Sequence, residues 1–168
     1  KNYGLLNDPA LITPITPLAS GTSGGTLWST KDGAAIYGDI QALYAKLVLQ
    51  TKGLVERTAP MTLALSPEMD ANLTKTNQYN VNVTDQLKKN FPNLAVKVAV
   101  EYATTGGQLA QLIVNDIAGQ KTGYCAFSEK LRAHPVKVEL SSFQQKKSGG
   151  SWGAIIRQPL AIAQMLGL

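Results

Sequence analysis

Cysteine and histidine are almost absent from this sequence. Among 168 residues there is one cysteine, Cys125, and one histidine, His134. A single cysteine excludes an internal disulfide and a cysteine-based metal cluster. One cysteine and one histidine are also too few ligands for a zinc site of the usual kind. One unpaired cysteine is what a reducing cytoplasm permits. We therefore expect no metal ion and no cofactor.

Charged residues are also scarce, and those present are scattered. They make up 16 % of the chain against 44 % hydrophobic residues, which is a globular composition and not a disordered one. The formal net charge is +5, but the tightest clusters are the pairs Lys88–Lys89 and Lys146–Lys147. Neither is long enough to be a polybasic arm. We interpret the charge as an ordinary solvated surface, with an anionic partner as the alternative.

Long apolar runs are missing as well. No run reaches the roughly 18 residues that a membrane span needs, so no membrane association is expected. The chain begins at Lys1, and no charged segment leads into an apolar stretch, so no signal peptide is visible. We interpret the chain as a fragment or processed product that begins inside a longer protein.

Motifs for common catalysis are incomplete. His134 precedes Pro135 and so lies in an extended or turn segment, and no Gly-x-Ser-x-Gly elbow presents a nucleophile. We predict a surface or strand-end histidine. Cys125 lies in an apolar run, Tyr124–Phe127, and is predicted to be a small buried core residue. Gly21–Thr26 is glycine-rich but lacks the lysine of a phosphate loop, which favours a flexible loop.

Two interpretations need the tertiary structure. Asp39, Glu101 and Asp116 could converge in a pocket, so a carboxylate-dependent enzyme stays open as a hypothesis. Four aromatic residues are available to stack on nucleic acid, but they do not alternate with Lys or Arg in a groove-like pattern, and we predict core positions for them. These residues are Tyr102, Tyr124, Phe127 and Trp152.

The pattern along the chain predicts an α+β fold. Proline and glycine exclude a long helix from residues 1–30 and indicate loops and extended segments. Residues 31–53 have one apolar stripe at the helical period, with Thr30 or Asp32 as the cap, and predict a helix of about 20 residues. Helices and strands are segregated along the chain and do not alternate regularly, which favours α+β over a doubly wound sheet.

The remaining elements are shorter. Met61–Leu65 predicts a buried strand, and Ser66-Pro67-Glu68 predicts a helix start that runs to about Thr74. A second short helix is expected from Thr84-Asp85, followed by strands over residues 94–103 and Leu109–Val114. Residues 136–157 predict a long hairpin whose turn, Lys146–Ser151, has Gly149-Gly150 at its tip. Leu160–Leu168 is apolar and is expected to be buried against the fold or a neighbour.

Several stretches, taken in order, carry a resemblance to a known family. The first, Tyr3-Gly4-Leu5-Leu6-Asn7-Asp8-Pro9, resembles a Gly-Leu-Leu-Asn stretch of the major capsid proteins of tailed phages and prophages with the Hong Kong 97-type (HK97-like) fold, where it lies shortly before a long spine helix. Trp28–Thr30 and the stripe Ile36–Leu47 resemble the entry to that spine helix. Thr62–Pro67 resembles the strand-to-helix entry into an axial lobe, and Trp152–Ile162 resembles the closing strand with its Arg and Pro.

The resemblance implies a long spine helix, a long β-hairpin and an axial lobe of mixed sheet with short helices. The peripheral lobe would comprise residues 1–58 and 131–168, and the axial lobe residues 59–130. Copies would form pentamers and hexamers of a virion capsid, after a stage in the host cytoplasm, with packaged DNA facing the interior. The family's N-terminal arm and extended loop are not present in these 168 residues.

The resemblance also implies that function lies in surfaces, with no catalytic, cofactor-binding or metal-binding residue and no enzymatic activity. The surfaces expected to contact other copies are Leu160–Leu168, the spine helix and the loop 1–30. Without the missing arm, we expect a monomer or small oligomer and no shell. The alternatives are the carboxylate-dependent enzyme, another phage structural part and the shell protein of a bacterial nanocompartment.

Overall fold

The computed structural model describes residues 3–21 and 24–168, and it contains both helices and sheets. The α-helices are α1 (Gly33–Gln50), α2 (Pro67–Asn72) and α3 (Val83–Asn90). The strands are β1 (Met61–Leu65), β2 (Leu94–Val98), β3 (Ala103–Thr104), β4 (Gly107–Val114), β5 (Asp116–Ile117), β6 (Gln120–Lys121), β7 (Gly123–Ala133), β8 (Lys137–Val138), β9 (Phe143–Gln144), β10 (Lys147–Ile156) and β11 (Ile162–Leu166). This mixture agrees with the predicted α+β class.

The chain divides into two compact units. The larger unit, here called the body, comprises Ala10–Thr122 and Gln158–Leu168. The smaller unit contains the segment Gly123–Arg157, here called the ribbon, together with the residues up to Pro9.

The body is built on a mixed five-stranded sheet. Its strand order is β11-β4-β1-β2, with β3 also paired to β4. The pair β1–β2 is parallel, because α2 and α3 lie between these strands in the chain and allow a crossover. The pairs β1–β4 and β11–β4 are antiparallel. The predicted strands at Met61–Leu65, at residues 94–103 and at Leu109–Val114 are thus found, with the second ending at Val98.

Helix α1 confirms the predicted long helix and lies against β11 and α3. Asp32 is the N-cap, and its side chain accepts a hydrogen bond from the backbone N–H of Ala35 at 2.8 Å. The apolar stripe is buried along one face. Past the C-terminus, Lys52 has a positive φ angle, and the N–H of the following residue, Gly53, donates to the carbonyl of Val48, which ends the helix.

The short helices begin at side-chain caps. Ser66 caps α2 by accepting from the N–H of Met69, with Pro67 in the first turn, as the sequence predicts. Helix α3 begins one residue earlier than expected, because Asn82 is the cap and accepts from the N–H of Asp85. Both helices direct apolar residues into the same core as α1 and the sheet.

The C-terminal segment completes the body. Strand β11 pairs with β4 along its whole length, and Ile162, Ala163 and Met165 are buried. On its other side, the backbone of Ile15 exchanges hydrogen bonds with Gln164 and Leu166. Part of the predicted loop 1–30 therefore lies on the sheet as extended chain, as expected; residues 1, 2, 22 and 23 are outside the described residues.

The ribbon is a long antiparallel hairpin, but its boundaries differ from the prediction. Strands β7 and β10 pair, and the turn region between them contains the small hairpin β8–β9. Gly149 and Gly150 lie inside β10 and not at a turn tip, so that expectation was wrong. A Cβ atom on Gly150 would collide with the Ser128 hydroxyl, so this glycine permits close strand approach at an irregular register.

Candidate assembly surfaces

His134 lies just after β7 and has the strand-end position that the sequence predicts. Its Nε2 is 3.0 Å from the Ser148 hydroxyl, which is also 3.3 Å from a Glu129 carboxylate oxygen. In a catalytic triad the carboxylate orients the histidine, which then takes the serine proton. Here the carboxylate competes for the serine proton instead. The three residues therefore form a polar contact across the ribbon and not a nucleophilic triad.

Cys125 is exposed, which contradicts the predicted core position. The prediction was wrong because the apolar run Tyr124–Phe127 lies in a two-stranded ribbon and not under a packed layer. Three of the four predicted core aromatics are exposed for the same reason: Tyr124, Phe127 and Trp152. Only Tyr102 of the four is buried, and its hydroxyl donates to the Gln111 side-chain oxygen at 2.7 Å.

The carboxylates Asp39, Glu101 and Asp116 have separate surroundings. Asp39 is fully buried in α1, Glu101 is exposed beside β3, and Asp116 accepts from the N–H of Gly119 in the β5–β6 turn. Throughout residues 3–21 and 24–168, no group of three or more His, Cys, Asp or Glu side chains could hold a metal ion. The arrangement gives no support to the carboxylate-enzyme hypothesis.

Asp39 instead forms a buried polar centre that sequence reasoning missed. Its carboxylate accepts from the Lys31 ammonium at 2.5 Å, from the Trp28 indole N–H at 2.8 Å and from the backbone N–H of Leu18 at 2.9 Å. Both charged side chains are fully buried. The sequence contains a signal for this centre, because Asp39 interrupts the apolar stripe between Ile36 and Leu43. An acid that is buried with the stripe needs a cationic partner or hydrogen-bond donors.

A second lysine holds the same loop. The Lys75 ammonium donates to the carbonyls of Trp28, Ser29 and Lys31 at 2.6, 2.9 and 3.1 Å. These carbonyls belong to the short 3₁₀ helix Trp28–Thr30 and the residue after it, where intrahelical partners run out. The loop before α1 is thus tied to the body by two lysines.

The glycine-rich loop does not resemble a phosphate cradle in its described part. The N–H of Gly21 donates to the Gly25 carbonyl at 2.8 Å, and the N–H of Gly24 donates to the Gly21 carbonyl at 2.9 Å. A phosphate site needs such N–H groups free to face the ligand. The segment Gly21–Thr26, for which the sequence favours a flexible loop, also includes residues 22 and 23, which lie outside the described residues.

Two of the surfaces predicted to contact other copies are partly buried within the chain itself. Six of the nine tail residues, Ala161–Met165 and Leu168, are buried in their own chain, so most of Leu160–Leu168 is not available to another copy, whereas Leu160 itself is exposed. Helix α1 offers only its outer side, which includes the exposed Leu49. The large exposed hydrophobic side chains are instead concentrated on the ribbon, a surface that sequence reasoning did not single out.

A shallow groove of about 510 Å³ lies between the start of α1 and α3. It is lined by Ala34, Tyr37, Val81, Asp85, Gln86, Lys89 and Asn90. Asp85 and Lys89 are exposed, so their charges remain hydrated and no convergent set of buried polar groups marks a ligand site. In the part of the chain that the structure describes, no helix is both long and apolar enough to cross a membrane.

Comparison with known proteins agrees with a surface-based role. A family model described as "Pa193 gp26 major capsid protein" matches residues 1–167. The sequence matches no curated protein.

Two solved structures share the fold at low sequence identity. The capsid of Myoviridae phage XM1 superimposes with a TM-score of 0.76 at 15 % identity, over 100 % of this chain and 54 % of that one. A virus-like particle from Pyrococcus furiosus superimposes with a TM-score of 0.57 at 15 % identity, over 92 % of this chain and 57 % of that one. The chain thus spans about half the length of these two proteins.

Proposed function

The chain belongs to the family of the Pa193 gp26 major capsid protein, and from that premise we propose that it is a structural subunit of a phage or prophage capsid. The family match over residues 1–167 carries this proposal, and it confirms the resemblance read from the sequence. The fold shared with the XM1 capsid supports it independently of sequence identity. The subunit acts by presenting surfaces to other copies.

The proposed role requires no catalysis. Its support is the chemistry of the candidate residues: Ser148 has a competing carboxylate, Asp39 is saturated by three donors, and Glu101 is a solvated side chain. None of these arrangements supplies an activated nucleophile or a base facing a pocket. We therefore assign no enzymatic activity to the chain.

The finer features of assembly belong to the same proposal. Copies form pentamers and hexamers of an icosahedral shell, which uses head-to-tail contacts around closed rings. The formal charge of +5 suits an interior that faces packaged DNA. The subunit is made in the host cytoplasm and ends in the virion capsid. We keep residues 1–58 with 131–168 as the proposed peripheral lobe and residues 59–130 as the axial lobe.

Electron microscopy tests the proposal directly. The protein is expressed at its full natural length, purified and imaged under assembly conditions. Rings or closed shells are expected, and a protein that stays monomeric under all assembly conditions would contradict a capsid role. Of the two alternative shells, the nanocompartment has less support, because the family model is that of a major capsid protein and the XM1 capsid superimposes better than the virus-like particle.

A further inference from the structure

The two edge strands of the body sheet differ in how they are protected. With the strand order β11-β4-β1-β2, the edges are β11 and β2. An edge strand presents free N–H and C=O groups that can pair with another sheet, and an exposed lysine is a common obstacle to such pairing. Strand β2 has the exposed Lys97. Strand β11 has no charged residue and no proline, so its own side chains give its edge no such protection.

The outer edge of β11 is instead covered by an earlier segment of the same chain. The N–H of Ile15 donates to the Gln164 carbonyl at 2.9 Å, and the Ile15 carbonyl accepts from the N–H of Leu166 at 3.0 Å. Together these bonds form a parallel bridge, in which Ile15 lies opposite Met165. Among the described residues, no other strand or bridge pairs with this side of β11. The edge of β11 is therefore closed at Ile15 alone.

Two prolines confine this pairing to a single bridge. In extended chain, the backbone groups of successive residues point to opposite sides, so those of residues 15 and 17 face β11 and those of residues 14 and 16 face away. Pro17 has no N–H with which to extend the pairing, and Pro14 has none to offer on the opposite side. The segment thus covers β11 without presenting a full row of donors to a further strand.

We propose that residues 13–17, here called the edge guard, keep the body sheet of one copy from pairing with the sheet of another copy through β11. The guard is an inhibitory contact within the chain, because it occupies hydrogen-bonding positions that an incoming strand needs. Ile15 is only partly buried, and the core that it touches is built by other elements, so the body stays folded when the guard detaches. The guard acts on the unassembled chain and does not depend on the proposed function.

Detaching the guard by substitution tests the proposal in the full-length protein. Ile15→Pro removes the donor to Gln164 and places a proline ring against that carbonyl. The matched control is Thr16→Pro, at an exposed residue whose N–H points away from β11. Light scattering and thioflavin T fluorescence measure association under conditions in which the wild type stays unassembled. The rate should rise about tenfold or more for Ile15→Pro, because two hydrogen bonds are lost, and should change little for Thr16→Pro.

The state of the fold decides how this result is interpreted. Circular dichroism and urea unfolding of Ile15→Pro should show the secondary structure and a folded body like those of the wild type. If Ile15→Pro unfolds while Thr16→Pro does not, the bridge serves the stability of the fold and the inference is overturned. If Ile15→Pro stays folded and associates no faster than Thr16→Pro, the edge of β11 needs no cover and the inference is overturned as well.

A second substitution identifies the edge that associates. Leu166→Lys places a charge on β11 at a partly buried residue, and Ala95→Lys places one on β2 at an exposed residue. Added to Ile15→Pro, Leu166→Lys should restore slow association, because a lysine on an edge strand opposes pairing with another strand. Ala95→Lys should have little effect. If Leu166→Lys slows association no more than Ala95→Lys does, the chains do not associate through β11 and the guard has no protective role.

Discussion

Asp39 links the loop before α1 to the helix through a buried charge. Its carboxylate is stable inside the body because one ammonium and two N–H donors replace the water that it loses. Such a pair adds little net stability when intact, but the loss of one partner leaves an uncompensated buried charge. The centre therefore determines where the loop lies more than how stable the fold is.

Asp39→Ala should lower the free energy of unfolding by about 3–5 kcal/mol, because it strands the buried Lys31 ammonium. The control is Glu139→Ala, which removes an exposed ion pair with Lys137 at 3.4 Å and should cost less than about 1 kcal/mol. Urea unfolding measures both. Equal effects of the two substitutions would contradict the structural role. A double variant, Lys31→Met with Asp39→Leu, should regain only the part due to the stranded ammonium, because the Trp28 indole N–H and the Leu18 N–H still lack their acceptor.

Tyr102 should make stability depend on alkaline pH. Burial, with the charge of Glu101 as a smaller cause, raises the pKa of Tyr102 from 10.0 to about 12. Because the folded state holds this proton more tightly than the unfolded state, its stabilising effect is complete below pH 10 and is lost as pH rises towards 12. Urea unfolding at several alkaline pH values should show this fall.

Tyr102→Phe is the variant that isolates this contribution. It should remove the part of the pH dependence due to Tyr102 and, in an ultraviolet titration, the last tyrosine to ionise. The matched control is Tyr79→Phe, a 75 % exposed residue whose loss should leave the late-ionising tyrosine in place. If the titration curves of the wild type and of Tyr102→Phe have the same shape at the highest pH values, the pKa of Tyr102 is not raised.

Helix α1 contains two glycines whose surroundings differ. Gly33 lies at its first position, against the backbone of the segment before α3, and its N–H donates to the Thr76 carbonyl at 3.2 Å. Gly38 lies further along the helix with nothing near its Cβ position. The first glycine is needed for close approach, whereas the second only weakens the helix.

The two glycines give a matched pair of alanine substitutions. A Cβ on Gly33 would meet the Lys75 carbonyl oxygen and the Thr76 carbonyl carbon at 2.8 Å, so Gly33→Ala should cost about 1–3 kcal/mol. Gly38→Ala should stabilise by about 0.5–1 kcal/mol, since alanine is the better helix former. Thermal and urea unfolding measure both. A stabilising Gly33→Ala would show that the close approach does not exist in solution.

On the scale of the whole molecule, stability is concentrated in the body. Its core joins α1, the short helices and the sheet in one hydrophobic cluster. The ribbon, in contrast, has exposed residues along nearly all of β7. Local opening is easiest where few apolar side chains are buried. The two units should therefore differ in their exchange and cleavage rates in the unassembled chain.

Hydrogen exchange should be about 100-fold or more faster in β7 and β10 than in β1 and β4. Limited trypsin digestion should cut first at Lys130, Arg132 or Lys146, before the exposed Lys97 in the edge strand β2 of the body sheet. Mass spectrometry measures both. A ribbon that exchanges as slowly as β1 in the monomer would contradict this division of stability.

Elements whose causes are local can be predicted from the sequence alone. The apolar stripe of α1 with its Asp32 cap, the Ser66-Pro67 start of α2 and the strand Met61–Leu65 all depend on residues within a few positions of each other. The resemblance to capsid proteins likewise depends only on short patterns and on their order along the chain. These predictions are confirmed because periodicity and capping act over one or two turns of chain.

Burial and side-chain partners, in contrast, depend on how distant segments of the chain pack together. The pairing of Asp39 with Lys31, the exposure of Cys125 and Phe127, and the place of Gly149 inside β10 all depend on segments that are distant in the chain. An apolar run looks the same in sequence whether it lies in a core or on an uncovered ribbon. The difference is whether another layer packs on it.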